Sequence, residues 1–195
     1  MNTKTNLRPL VVTAIMGAVG FVLMFLEISV PFMPSFIKFD FSELPALVAS
    51  FAYGPVYGAV VCLLKNALHL TVTSTAGVGE LANFLMGVFL VVPAGLIYRF
   101  RKNRTSALIG SLVGSLVMGL ACVAINYFIV YPIYYQIMIP EAVILSAYQA
   151  ILPSMDSIIK SLLVFNLPFT AAKGLIDAII CFFIYKKLSP ILKKS

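Results

Sequence analysis

Residues 105–134 form thirty consecutive positions without a charged side chain. A helix that crosses a bilayer needs roughly 20 apolar residues to span a hydrocarbon core of roughly 30 Å. Inside that core the backbone N–H and C=O groups have to be satisfied within the segment itself. The run therefore reads as a spanning helix. Apolar runs interrupted by one to three charges fill 9–30, 56–72, 79–98 and 158–185, and with 61% of residues apolar against 11% charged the chain is an integral membrane protein. Its 195 residues hold about six spans with short loops. That leaves no length for a soluble catalytic domain, so 1–195 reads as one transmembrane domain.

The basic residues choose the topology. A net charge of +7 raises the question of nucleic acid, but these residues sit in small clusters between apolar runs rather than on one face, which is an orientation signal. Ser42 is a candidate N-cap, with Glu43 complementing the first turn of a helix that Gly54-Pro55 breaks. About ten residues at 1.5 Å rise cover about 15 Å, half of the core. Were 44–64 a single kinked span, Arg99, Arg101, Lys102 and Arg104 would lie across the membrane from Lys4 and Arg8. With a turn at Gly54-Pro55, both clusters and Lys186, Lys187, Lys193 and Lys194 share the cytoplasmic side, as the positive-inside rule favours. The expected fold is all-α, with six transmembrane helices, a short second helix and both termini cytoplasmic. The basic start resembles a signal sequence, but its apolar run is long and no small-x-small site follows, so it reads as a retained first span.

This topology puts the aromatic 32–41 loop, the 73–78 turn and the 135–157 connection together at one outer mouth, a natural opening for a cavity. Most of the mid-chain polar chemistry falls in 36–87, where Asp40, Glu43, Lys65, Asn66, His69, Glu80 and Asn83 interrupt apolar runs. Ionisable and amide groups at membrane depth are costly enough to count as functional candidates. Lys65 should face a cavity, a ligand oxygen or a carboxylate, with Glu80 as the expected protein partner. In the last span Asn166, Thr170 and Lys173 follow at i, i+4 and i+7 on one face. Asp177 continues that face and is also spaced for an intrahelical pair with Lys173. Amide, hydroxyl and ammonium groups on an apolar helix suit a flat heteroaromatic solute rich in carbonyl and ring-nitrogen acceptors. Asn126 in the fifth span adds a donor and acceptor, and Pro168 is placed to kink the sixth. Ala14, Gly17 and Ala18 give the first span a smooth face, for a partner helix or for internal packing.

Several function classes lack their parts. Cys62, Cys122 and Cys181 stand singly in apolar segments, as small buried hydrophobes rather than metal ligands or disulfides. No nucleophile with an adjacent base and no HExxH accompanies Asp40 and Glu43, which argues against an intramembrane enzyme. There is no P-loop, so any ATP hydrolysis belongs to a partner.

The stretch KFDFSELPALVASFAYGPVYGAVVCLLKNALHL at 38–70, followed by TSTAGVGELANFLMG at 73–87, closely resembles the riboflavin-specific substrate-binding (S) components of energy-coupling factor (ECF) vitamin transporters. The Ala14 and Ala18 spacing and PFTAAKG at 168–174 extend the likeness. The resemblance implies an S component of a bacterial plasma membrane that captures riboflavin at the outer face. It also implies a transmembrane coupling subunit of the EcfT type, which meets Ala14, Gly17 and Ala18, and two cytoplasmic ATPase subunits that supply the missing P-loops. Riboflavin would be transported cargo rather than a cofactor. On the same ground Lys173, Asn126 and Thr170 become flavin contacts. Thr170 stands where the family commonly has asparagine, and Asn166 one turn earlier is its possible substitute. Phe39, Asp40 and Phe41 belong to the covering loop, and Lys65, Asn66, Glu80 and Asn83 to the wall or ribityl-chain site. The alternatives are an S component for another vitamin, such as a pterin or thiamine, and a small membrane enzyme acting on lipid or isoprenoid carriers.

Overall fold

The computed structural model describes residues 7–193, with side chains through Tyr185. Lys4, Lys186, Lys187, Lys193 and Lys194 of the basic clusters lie outside the residues whose side chains are described. The described chain is all-α apart from one two-stranded ribbon. Helix α1 spans Arg8–Met24, strands β1 (Ile28–Ser29) and β2 (Lys38–Phe39) pair antiparallel, and α2 covers Glu43–Tyr53 and α3 Pro55–His69. Helix α4 is Val78–Phe100, and α5 (Arg104–Ile125) runs through a π-helical turn at Asn126–Val130 into α6 (Tyr131–Ile137). Next come α7 (Glu141–Gln149) and α8 (Ile158–Ser161), which continues through a π turn at Leu162–Asn166 into α9 (Leu167–Lys193).

Four continuous helical stretches among the described residues are long and apolar enough to cross a membrane: Pro55–Val72, Val78–Phe100, Arg104–Ile137 and Ile158–Tyr185. Helix α1 is apolar but shorter, at 17 residues, and α2 has 11. The expected first span to position 30 is therefore too long. The helix ends at Met24, and Ile28–Ser29 turns back to pair with Lys38–Phe39, because an extended pair satisfies backbone groups that Pro31 and Pro34 prevent a helix from using. An ion pair between Glu27 and Lys38 closes the ribbon. The 135–157 connection likewise carries helix α7 rather than plain loop.

The Gly54-Pro55 break stands as expected. Gly54 takes φ +111°, a conformation that favours glycine, and Pro55 opens α3 at the first helical position, where its missing N–H costs nothing. Helix α2 is buried on nearly every side, from Pro45 through Phe51, and packs against α1, α3, α4 and α9. It is the central element of one core cluster, which includes Leu47, Phe51, Val61, Leu90, Val91 and Cys181. Helices α4 and α5 approach closely because Gly110 and Gly114 lie over the Ala94 and Leu90 carbonyls; Cβ atoms there would clash with those oxygens. The outer faces keep large apolar side chains exposed, among them Leu112, Leu116 and Leu120 of α5, as a lipid-facing surface does. A second cluster of Val78, Ile125, Tyr131, Tyr148, Met155, Leu162 and Phe165 fills the end of the bundle under the aromatic connections.

Both π turns precede a proline, Pro132 in α6 and Pro168 in α9. Proline removes an N–H and clashes with the carbonyl four residues back. A wider turn accommodates this, and Tyr131 and Leu167 bond back to Asn126 and Leu162 instead. The sequence reading placed a kink at Pro168. The distortion lies in the turn before it, and each π turn contains one of the candidate asparagines.

Candidate functional site

A chain of buried charges joins three segments that are far apart in sequence. Lys173 of α9 donates to Asp40 Oδ2 at 2.8 Å and lies 3.3 Å from Glu43 Oε2. Lys65 of α3 donates to Glu43 Oε1 at 2.8 Å and to the Ser42 hydroxyl. The carboxylates and ammonium groups thus alternate as Asp40, Lys173, Glu43 and Lys65, and the Ser42 N–H donates to Asp40 Oδ1 at 2.8 Å. Lys65 and Glu43 are fully buried. Each charge costs roughly 3 kcal/mol to insert at membrane depth, and neutralising pairs keep all four tolerable.

Two expectations are corrected here. Ser42 does not cap α2; its backbone is helical and its hydroxyl is taken by Lys65 and Glu43, since the fully buried Lys65 ammonium needs acceptors. Lys65 pairs with Glu43 rather than Glu80. Glu80 instead meets His69 Nδ1 at 2.7 Å and accepts from the Thr73 and Thr75 hydroxyls at 2.9 Å, which fastens the 73–78 turn where Ala76 and Gly77 take positive φ. His69 packs beside the Phe21 and Phe25 rings.

Burial alone would raise the Asp40 carboxyl, but the Lys173 and Lys65 ammonium groups outweigh it and hold it well below the ordinary carboxylate range. The sign follows. With a folded value below the unfolded value of roughly 3.9, the tie between the loop and α9 contributes fully above that value and is lost only as pH falls beneath it. The segment that carries Asp40 stays tied to α9 throughout the neutral range.

Asp177 is fully buried and neither of its oxygens has a hydrogen-bond partner among the described residues. The i, i+4 hydrogen bond to Lys173 does not form, because the ammonium is drawn to the two carboxylates at the start of α2.

The second half of the site lies between α5 and α9, towards the aromatic connections. The Asn126 amide donates to the Cys122 carbonyl at 2.9 Å and to its sulfur, and the Thr170 hydroxyl donates to the same sulfur at 3.2 Å. Asn166 is set the opposite way round: its Oδ1 accepts from the Tyr148 hydroxyl at 2.6 Å, and Tyr148 in turn bonds Tyr131 at 2.6 Å. Asn126 thus commits its NH2 group and Asn166 its oxygen, and the Asn166 side chain also meets the Tyr131 hydroxyl. Phe36 of the ribbon connection stands edge-on to Tyr148 at 5.8 Å, and Phe39 edge-on to Phe41 at 4.9 Å. Asn66 donates to Asn83 Oδ1 at 3.3 Å in the wall between α3 and α4, and its own buried Oδ1 has no partner among the described residues.

Sequence reasoning missed Tyr148, which is fully buried on α7. A tyrosine inside an apolar connection needs a partner for its hydroxyl, and that was the available signal. On α1 the structure separates the small residues. Ala14 and Ala18 are exposed, while Gly17 is buried against α3, where a Cβ would stand 2.8 Å from that of Leu64.

The family model for the substrate-specific component of ECF transporters matches residues 8–187. The riboflavin transporter RibU of Staphylococcus aureus is 31% identical, with 100% of this chain and 96% of that protein covered. The riboflavin transporter FmnP of Bacillus subtilis is 29% identical over 97% of this chain and 96% of its own. A solved structure described as the S component of a bacterial ECF transporter superposes with a TM-score of 0.74 at 29% identity, covering 95% of this chain and 98% of that one. With its helical fold and the family match running from the start of α1 into the end of α9, the chain belongs to the substrate-specific components of ECF transporters.

Proposed function

We propose that this S component binds riboflavin with high affinity at the outer face of a bacterial plasma membrane and delivers it inward with an ATP-driven energy-coupling module. The observation that carries the reading is the polarity of the groups between α5 and α9. Asn126 offers an acceptor, Asn166 a donor, and Lys173 an ammonium beside the covering loop. The pyrimidine edge of an isoalloxazine presents one N–H flanked by two carbonyls, which this set complements. The relatives named as riboflavin transporters support the same assignment.

In this reading Asn126, Asn166, Thr170 and Lys173 face the ring system, with Phe39, Asp40 and Phe41 over it. Asn66 and Asn83 serve the ribityl hydroxyls. Lys65 and Glu80, both committed to protein partners, hold the wall in place. The whole chain forms one transmembrane domain with six spans and both termini cytoplasmic. An EcfT-type subunit docks on the Ala14 and Ala18 face of α1, and two ATPase subunits act from the cytoplasm. The chain itself is a transport component rather than an enzyme.

Two outcomes test this division of labour. Tyr148→Phe releases the Asn166 amide and should weaken riboflavin binding about tenfold, the value of one well-formed hydrogen bond in a buried site; titration of flavin fluorescence measures it. Replacing Ala14 and Ala18 together by tryptophan should leave riboflavin affinity within about twofold, since exposed substitutions seldom disturb a distant site. Uptake in cells carrying the coupling module should nevertheless be abolished.

A further inference from the structure

The bundle carries a second polar feature at the end opposite the aromatic connections. Where α2 gives way to α3, a cleft of about 320 Å³ is lined by Tyr53, Tyr57, Tyr98, Arg99 and Lys102 beside the Gly54-Pro55 break. Its volume lies within the roughly 300–1,000 Å³ range of ligand sites. The Phe51 and Tyr98 rings of its lining pack with centroids 5.0 Å apart, and both meet the Tyr185 ring behind them. Nothing stands within 4 Å of where a Cβ on Gly54 would project.

The charge around the cleft is one-sided. None of the chain's 7 carboxylates lines it. Neither Arg99 nor Lys102 forms an ion pair among the described residues. The first turn of α3, which opens onto it, has no acidic residue, so the positive end of the helix dipole is not offset there. Arg99 also complements the C-terminal end of α4, which accounts for one of the two cations that line the cleft.

We propose that this cleft binds the phosphate headgroup of an anionic glycerophospholipid. A lipid fits better than a soluble anion because the rim runs directly into the lipid-facing surface: Val56 is 71% and Phe100 87% exposed beside it. The tyrosine collar marks headgroup depth. In the proposed orientation the cleft opens to the inner leaflet, where anionic lipids recruit basic pockets between helices.

The test uses the full chain in detergent, titrated with phosphatidylglycerol and followed by native mass spectrometry. Arg99→Gln with Lys102→Gln should weaken lipid binding about 30-fold, the effect of removing two cations near an anionic headgroup. Arg101→Gln with Arg104→Gln removes the same charge outside the cleft lining and should change it by less than about threefold, as screened charges do. All four positions are exposed, and thermal melting checks that both variants are folded. Equal losses in the two variants, or equal affinity for phosphatidylcholine, would overturn the proposal. Glycerol 3-phosphate binding as tightly as the lipid would overturn the lipid assignment in favour of a soluble phosphate.

Discussion

Replacing Lys173 by methionine should lower riboflavin affinity about 100-fold or more. In the proposed reading its ammonium serves both the loop at Asp40 and a ligand carbonyl, and losing a buried charge-assisted contact costs about 2–5 kcal/mol. The substitution also strands Asp40, whose carboxylate is held by Lys173 at 2.8 Å. Loss of binding by itself would therefore not separate recognition from loop disorder. The double variant Lys173→Met with Asp40→Asn removes both charges and should recover most of the thermal stability while still failing to bind. Equilibrium titration of flavin fluorescence together with thermal melting reads the two effects apart. Recovery of riboflavin affinity in the double variant would show that Lys173 acts only as the anchor of the loop.

Lys65→Met should do the reverse. Lys65 is fully buried between Glu43 and Ser42, and removing one partner of a buried pair destabilises by about 3–5 kcal/mol because the other charge is left uncompensated. Lys173 remains near Glu43 at 3.3 Å, which places the expectation at the lower end of that range. Adding Glu43→Gln should restore much of the loss, since the two positions are coupled. Riboflavin affinity of the folded fraction should stay within about threefold, because surroundings already committed to protein contacts change binding little. A large loss of affinity at full stability would place Lys65 among the ligand contacts instead.

The contrast between these lysines shows what a sequence can and cannot reveal here. The apolar runs located the four long apolar helical stretches, and the Gly54-Pro55 break was legible because both residues act locally on the backbone. Lys173 stands out by its helical spacing with Asn166 and Thr170 and by its place in PFTAAKG at 168–174. The partner of Lys65 was not legible, since Glu43 lies 22 positions away on a different helix, and only the packing of α2 against α3 brings them together. Nothing in a 3.6-residue period announces a π turn, so the reorientation of Asn126 and Asn166 was hidden, although Pro132 and Pro168 marked both places. Gly17 shares its spacing with Ala14 and Ala18 but falls on the inner face of α1, a difference set by where α3 lies. Tyr148 was not legible because nothing in the 135–157 connection marks which side chain turns inward onto Asn166.

The central claim is most directly tested by the visible absorption spectrum of the purified, detergent-solubilised chain, followed by titration with riboflavin after stripping. The account predicts a yellow protein that binds one riboflavin per chain, with weakened binding in the Lys173→Met variant. A colourless protein that leaves added riboflavin free in solution would contradict the assignment and turn the site toward a different vitamin.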